Sequence, residues 1–139
     1  MGIFQRLADV LKSNVNDMID KAEDPEKMVK QIIIDMQKEL NKSTQALGKA
    51  VASERMAEKQ YQSAAKTSAE WEEKAKAALA AGDTELAKKA LANKVKADED
   101  TANYKEMYDT ISQQTEAIRD QVEVLKAKLD EAKSRQAML

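Results

Sequence analysis

Acidic side chains are the groups in this sequence that come closest to a site for chemistry. Two clusters qualify, the pair Glu72-Glu73 and the triplet Asp98-Glu99-Asp100. Carboxylates are good ligands for hard cations, but consecutive residues on a helix point in different directions, so neither cluster converges on one ion. We therefore predict no metal site and no cofactor.

The other residue types on which enzymes depend are missing. The chain has no Cys and no His, which excludes disulfides, thiolate chemistry and the usual general base near neutral pH. None of Gly2, Gly48 and Gly82 lies in the G-x-x-x-x-G-K-[ST] frame of a phosphate-binding loop. We predict that the protein is not an enzyme and has no catalytic residues.

Composition favours long helices over a compact globule. Charged residues make up 35% of the chain and aromatic residues 4%, a bias typical of helices that bury a narrow seam. The formal net charge is −2 with both signs intermixed, so we expect no binding to nucleic acid. The longest apolar run, Ala77 to Ala81, is far shorter than the roughly 20 residues of a membrane span. A cytoplasmic location is the default expectation.

The first 24 residues form an amphipathic pattern. Apolar side chains at steps of three and four lie on one face of a helix, with Gln5 and Asp9 on the opposite face. This apolar stripe comprises Phe4, Leu7, Leu11, Val15, Met18 and Ala22, with Ile3 and Ile19 beside it. Such a helix either docks on the rest of its own chain or binds another apolar surface, and the pattern leaves both possibilities open.

Two predicted helix boundaries divide the remainder of the chain. At Asp24-Pro25 an N-cap carboxylate precedes Pro at the first helical position, which predicts the start of a helix. Gly82-Asp83 predicts a chain reversal, because Gly82 suits the left-handed position after a helix. We therefore predict an all-α fold: an N-terminal amphipathic helix (1–24) followed by a long antiparallel two-helix coiled-coil hairpin (25–139), with arms 26–80 and 84–139.

Each predicted arm carries a seam of residues at steps of three and four, which the antiparallel partner would bury. Trp71 lies where the seam is otherwise rich in alanine, and we expect it to anchor the hairpin near Gly82. Acid-before-base spacing, as in Glu72/Lys76 and Glu131/Arg135, predicts ion pairs within single helices. The first seam runs through Val29, Ile33, Met36, Leu40, Thr44, Leu47, Val51, Ala57, Tyr61, Ala64, Ser68, Trp71, Ala75 and Leu79, and the second from Tyr104 to Leu139.

Several blocks along the whole chain together resemble one known family. They are Met1 to Phe4, Asn14 to Asn16 with Lys21 to Lys27, Glu70 to Ala75 and Leu86 to Leu91. In this order they resemble the phage shock protein A family, which includes the vesicle-inducing protein in plastids and is related in fold to the ESCRT-III superfamily.

The resemblance implies a peripheral, self-assembling scaffold that maintains or remodels the cytoplasmic membrane under envelope stress, on its inner face. It implies anionic lipids and further copies of the chain as partners. The membrane-binding residues it implies are Ile3, Phe4, Leu7, Leu11, Val15 and Met18. Because residues 1–24 hold three basic and five acidic side chains, apolar insertion would supply most of the binding.

Two further expectations follow from the resemblance. Some relatives restrain an AAA+ transcriptional activator through the hairpin region, so the alternative function is a regulatory module that sequesters such an activator. Family members also continue for several helices after the hairpin. We therefore expect this chain to be part of a longer protein.

Overall fold

The computed structural model describes residues 14–139. This range contains three helices, α1 (Val15–Asp20), α2 (Pro25–Ala80) and α3 (Thr84–Met138), and no strand. Because helices account for 93% of the described residues, the all-α prediction is confirmed for this part of the chain. The finer prediction of one coiled-coil hairpin along the whole length stays a prediction.

The amphipathic segment differs from the predicted continuous helix. Asn14 has an extended backbone (φ −72°, ψ 124°), and its side-chain oxygen accepts a hydrogen bond of 2.8 Å from the backbone N–H of Asn16. Asn competes for backbone hydrogen bonds in this way, which favours a helix cap over a helix interior. The cap at Asn14 therefore fixes the start of α1 at Val15. The helix ends at Asp20.

The long helices begin and end at residues that the sequence marks. The Asp24 carboxylate accepts a hydrogen bond of 3.2 Å from the N–H of Lys27, and α2 begins at Pro25. After α2, Gly82 adopts φ 78°, and its N–H donates to the carbonyl of Leu79 at 3.0 Å. The N–H of Asp83 donates to the carbonyl of Ala78 at 2.9 Å, which completes a Schellman motif.

The described chain divides into two compact units. The first unit comprises residues 14–48 and Glu116–Leu139, and the second comprises Lys49–Thr115. The core of the first unit joins α1 to the first part of α2 and the last part of α3. Its buried members are Val15, Ile19, Val29, Ile32, Met36, Leu129 and Ala132.

In the second unit, α2 and α3 run antiparallel. The Thr115 hydroxyl donates to the carbonyl of Ile111 on its own helix at 2.8 Å and lies 3.4 Å from the carbonyl oxygen of Ala50 on α2. The rings of Tyr61 and Tyr108 stack with centroids 6.4 Å apart. Small side chains fill the seam nearer the turn, where Ala57, Ala75, Ala78, Ala87, Ala90 and Ala97 are buried.

Two positions of the predicted first seam are wrong by one residue. Ser43 is buried where Thr44 was predicted, and Ala78 is buried where Leu79 was predicted. The seam advances by three residues from Ala75 to Ala78, so the small alanine lies between the helices near the turn. Leu79 is left 59% exposed.

Candidate functional site

The predicted membrane-binding stripe is only partly within the described structure. Ile3, Phe4, Leu7 and Leu11 lie outside the described residues, and their assignment stays a prediction. Val15 lies in the core of the first unit with no exposed surface, and Met18 is half-buried against that core. In this conformation Val15 contacts protein on all sides and does not face solvent.

The described part of the stripe is amphipathic in the folded structure. Val15 and Ile19 are fully buried, whereas Asn16, Asp17 and Asp20 are exposed. A spacing of four residues places Val15 and Ile19 on the same face of α1. The helix therefore has one apolar and one polar face, as its sequence predicts.

An ion pair joins the last residue of α1 to α3. The Arg135 guanidinium, on α3, donates to the carboxylate of Asp20. The Arg135 side chain is 28% exposed, and its Nε is buried without a hydrogen-bond partner among the described atoms. The prediction that Arg135 pairs with Glu131 on its own helix is thus corrected: its recorded partner is 115 residues away in sequence.

A shallow apolar groove of about 550 Å³ lies in the second unit beside the turn. Trp71, Leu86 and alanines of both helices are among the residues that line it. The Nζ of Lys74 lies 4.4 Å from the centroid of the Trp71 ring, within the range of a cation–π contact. Trp71 is half-buried, and its assignment as hairpin anchor, with Gly82, stays a prediction.

A polar contact crosses between the helices of the second unit. The buried Ser68 hydroxyl donates to one carboxylate oxygen of Asp98, and the Nζ of Lys94 donates to the other at 2.8 Å. The hydrogen bond from Lys94, followed by that from Ser68, holds the pKa of Asp98 below its ordinary value. The hydrogen bond to Asp98 in turn raises the pKa of Lys94.

Sequence reasoning missed the side chains that Asp98 and Arg135 contact in the folded chain. Asp98 belongs to the acidic triplet considered as a cation site, but its carboxylate contacts Ser68 and Lys94 instead. The available signal was Ser68, a polar residue at a predicted seam position, which needs a partner when buried. For Arg135 no local signal exists, because Asp20 is distant in sequence.

Residues 14–139 contain neither a metal site nor a membrane-spanning helix. No group of three or more acidic side chains is close enough to hold a metal ion within residues 14–139. In the same range no helix has both the length and the apolarity needed to cross a bilayer.

Comparison with known proteins places these features in a family. The family model described as PspA/IM30 matches residues 2–139. The membrane-associated protein Vipp1 of Nostoc punctiforme is 40% identical over 139 residues, which cover all of this chain and 54% of the relative. A phage shock protein A homolog of Deinococcus radiodurans is 36% identical over all of this chain and 62% of its own length.

A relative of lower identity also matches. Protein LiaH of Bacillus subtilis is 28% identical over 99% of this chain and 61% of its own length. The chain spans about half the length of the Vipp1 relatives that it matches. Because the family match covers nearly every residue, the chain belongs to the PspA/IM30 family.

Proposed function

We propose that this chain is a peripheral membrane-binding scaffold that assembles with further copies of itself and maintains or remodels the cytoplasmic membrane under envelope stress. Its place is the inner face of that membrane, and its lipid partners are anionic. Family membership supports this proposal, since relatives bear the names membrane-associated protein and phage shock protein A homolog.

The observation that carries the proposal is the amphipathic stripe before Pro25. In the sequence, Val15 and Met18 continue the spacing of three and four residues that begins with Phe4, Leu7 and Leu11. An amphipathic helix of this kind lies in the membrane interface with its apolar face among the acyl chains. The proposed inserting residues are Ile3, Phe4, Leu7, Leu11, Val15 and Met18.

Charge makes a smaller contribution to the proposed binding. Residues 1–24 carry a net charge of −2, from three basic and five acidic side chains. Anionic lipids attract basic residues by about 1 kcal/mol each near the surface, so this segment gains little from them overall. The apolar side chains therefore decide whether the segment binds.

The test is flotation with vesicles of phosphatidylcholine and phosphatidylglycerol. We expect Phe4→Glu to lower the vesicle partition coefficient by more than about tenfold, because the change removes roughly 2 kcal/mol of apolar burial and inserts a charge. Gln5→Glu is the matched control: it adds the same charge on the predicted polar face and should have little effect.

Equal flotation of the Phe4→Glu and Gln5→Glu proteins would contradict the proposal. Circular dichroism of both variants checks that their helix content is unchanged. This check separates loss of lipid binding from loss of folding.

The second candidate function is sequestration of an AAA+ transcriptional activator through the hairpin. The apolar groove lined by Trp71 and Leu86, of which Leu86 is more than half exposed, favours a protein-binding role for the second unit. Leu86→Ser would weaken capture of such an activator and leave vesicle flotation unchanged. An effect on flotation alone would favour the scaffold instead.

A further inference from the structure

The apolar stripe of the N-terminal segment could be buried in either of two environments, the core of the first unit or the acyl region of a membrane. Val15 and Ile19 have no exposed surface in the first unit, where they pack among Val29, Ile32 and Met36. A side chain cannot lie in this core and in the acyl region of a bilayer at the same time. The residues that bind protein in this conformation are therefore withheld from lipid.

The contacts that hold α1 in place are of two kinds, apolar packing and one ion pair. A helix of six residues is not stable alone, so its conformation depends on packing against α2 and α3. Beyond the apolar contacts, the ion pair between Asp20 and Arg135 ties its last residue to α3. At the other end, the Asn14 cap separates α1 from the preceding residues in the chain.

We propose that α1 and the Asp20–Arg135 ion pair form a latch, which in its closed state buries the second half of the apolar stripe. Opening of the latch would release Val15, Met18 and Ile19 from the core, so that these side chains could lie among the acyl chains of a membrane. This inference rests on the proposed membrane function and adds an intramolecular control of how much of the stripe reaches lipid.

The balance between the two states depends on what each one buries. In the closed state, Val15 and Ile19 are shielded from water by protein; in the open state, lipid shields them equally well. The burial of these two side chains therefore contributes little to the balance, and a polar contact made only in the closed state shifts the ratio of the two populations. Opening would also uncover Val29, Ile32 and Met36, which favours closure in the absence of a membrane.

The absence of Cys from the chain allows a direct test by site-specific labelling. An environment-sensitive fluorophore on Met18→Cys reports contact with lipid through quenching by brominated phosphatidylcholine in vesicles that also contain phosphatidylglycerol. Met18 suits the label because it is half-buried at the edge of the core. We expect weak quenching while Arg135 is intact and a two- to fivefold increase in the quenched fraction in Arg135→Gln, about the ratio expected for a partly exposed ion pair.

Arg119→Gln is the matched control. Arg119 lies on the same helix and in the same unit, but its partner is Glu116 on that helix, at 2.9 Å. This variant should quench as weakly as the parent protein. Arg135→Lys preserves the positive charge and should return quenching towards the parent value.

A measurement without label or lipid guards against misfolding of the variants. Amide hydrogen exchange of residues 15–20 should be faster in Arg135→Gln than in Arg119→Gln, whereas exchange in residues 29–36 should remain slow enough to indicate a folded α2. Loss of protection throughout the first unit of Arg135→Gln would mean that Arg135 is a general stabilising residue and would overturn the latch.

The outcomes separate the latch from the function on which it rests. If Phe4→Glu lowers flotation but Arg135→Gln and Arg119→Gln show equal quenching at position 18, the latch is wrong and the membrane function stands. If Phe4→Glu leaves flotation unchanged, the membrane function itself fails. Strong quenching of the parent protein, equal to that of Arg135→Gln, would also overturn the latch.

Discussion

At the scale of single residues, two charged side chains differ from most others because they contact a residue of another helix. Most ion pairs among residues 14–139 join residues three or four positions apart on one helix, as in Lys105–Asp109 and Arg119–Glu116. Arg135 instead contacts Asp20, and Asp98 contacts Ser68. Contacts between helices constrain how the helices pack, whereas exposed pairs within one helix contribute only tenths of a kcal/mol.

The Asp98 cluster predicts a specific dependence of stability on pH. Because hydrogen bonds from Lys94 and Ser68 lower the pKa of Asp98 from 3.8, its stabilising effect is complete above that value and is lost as pH falls through the lowered pKa. The pKa of Lys94 is raised above 10.5, so its own contribution to stability is complete below 10.5 and is lost as pH rises through the raised pKa.

We expect Asp98→Asn to be less stable than the parent protein by a constant amount between about pH 5 and about pH 9, with the difference narrowing in acid below about pH 4. Urea unfolding followed by circular dichroism across this range is the measurement. Asp109→Asn is the control, since Asp109 has a lysine partner on its own helix and no serine partner across the hairpin. A difference as large at about pH 2 as at neutrality would refute the assignment.

At the scale of elements, the two described glycines have opposite roles. Gly48 lies inside α2, and beyond its chain neighbours and the adjoining helix backbone no atom lies within 4 Å of the position of an added Cβ, so its flexibility only weakens the helix. Gly82 also has free space for a Cβ, but its φ of 78° belongs to the left-handed region. The same substitution therefore has opposite expected signs at the two positions.

We predict that Gly48→Ala raises the free energy of unfolding by about 1 kcal/mol and that Gly82→Ala lowers it by about 1 kcal/mol or more. Unfolding midpoints in urea and on heating, compared under identical conditions, give the sign for each variant. Each substitution serves as the other's control, since both add one methyl group in open space. A stabilising Gly82→Ala would show that the turn does not require the left-handed backbone.

At the scale of the whole molecule, the first unit depends on one small apolar core. Ile32 has no exposed surface and contacts this core, whereas Ile34, two residues later on the same helix, is 41% exposed. Periodicity alone placed Ile33 on the seam and left Ile32 off it. In the folded unit, α1 covers a second face of α2, so Ile32 is buried and Ile33 is packed at the edge.

We expect Ile32→Ala to destabilise the first unit by about 2–5 kcal/mol, because it leaves a cavity in a core of few residues. Ile34→Ala removes the same atoms from a position that is 41% exposed and should cost less than about 1 kcal/mol. Hydrogen exchange resolves the effect by segment and should show it in residues 25–48 and 116–138. Equal losses for the two variants would contradict the described core.

The helix limits follow from local chemistry that the sequence displays directly. Asp24 before Pro25 supplies a cap and a preset backbone angle, and Gly82 supplies the left-handed residue of the turn, so these features could be predicted without a structure. The amphipathic periodicity before Pro25 and the resemblance to the PspA/IM30 family are likewise properties of residue order. They depend only on neighbours within a few positions or on the pattern of the whole chain.

Only the tertiary structure decided which side chains meet. The sequence permitted Arg135 to pair with Glu131 one turn away, but the folded first unit brings Asp20 to its guanidinium. It also permitted a continuous amphipathic helix, but packing of Val15 and Ile19 in the core, together with the Asn14 cap, makes α1 a separate docked helix. Partners distant along the chain compete with local ones through packing, and that competition cannot be evaluated from spacing alone.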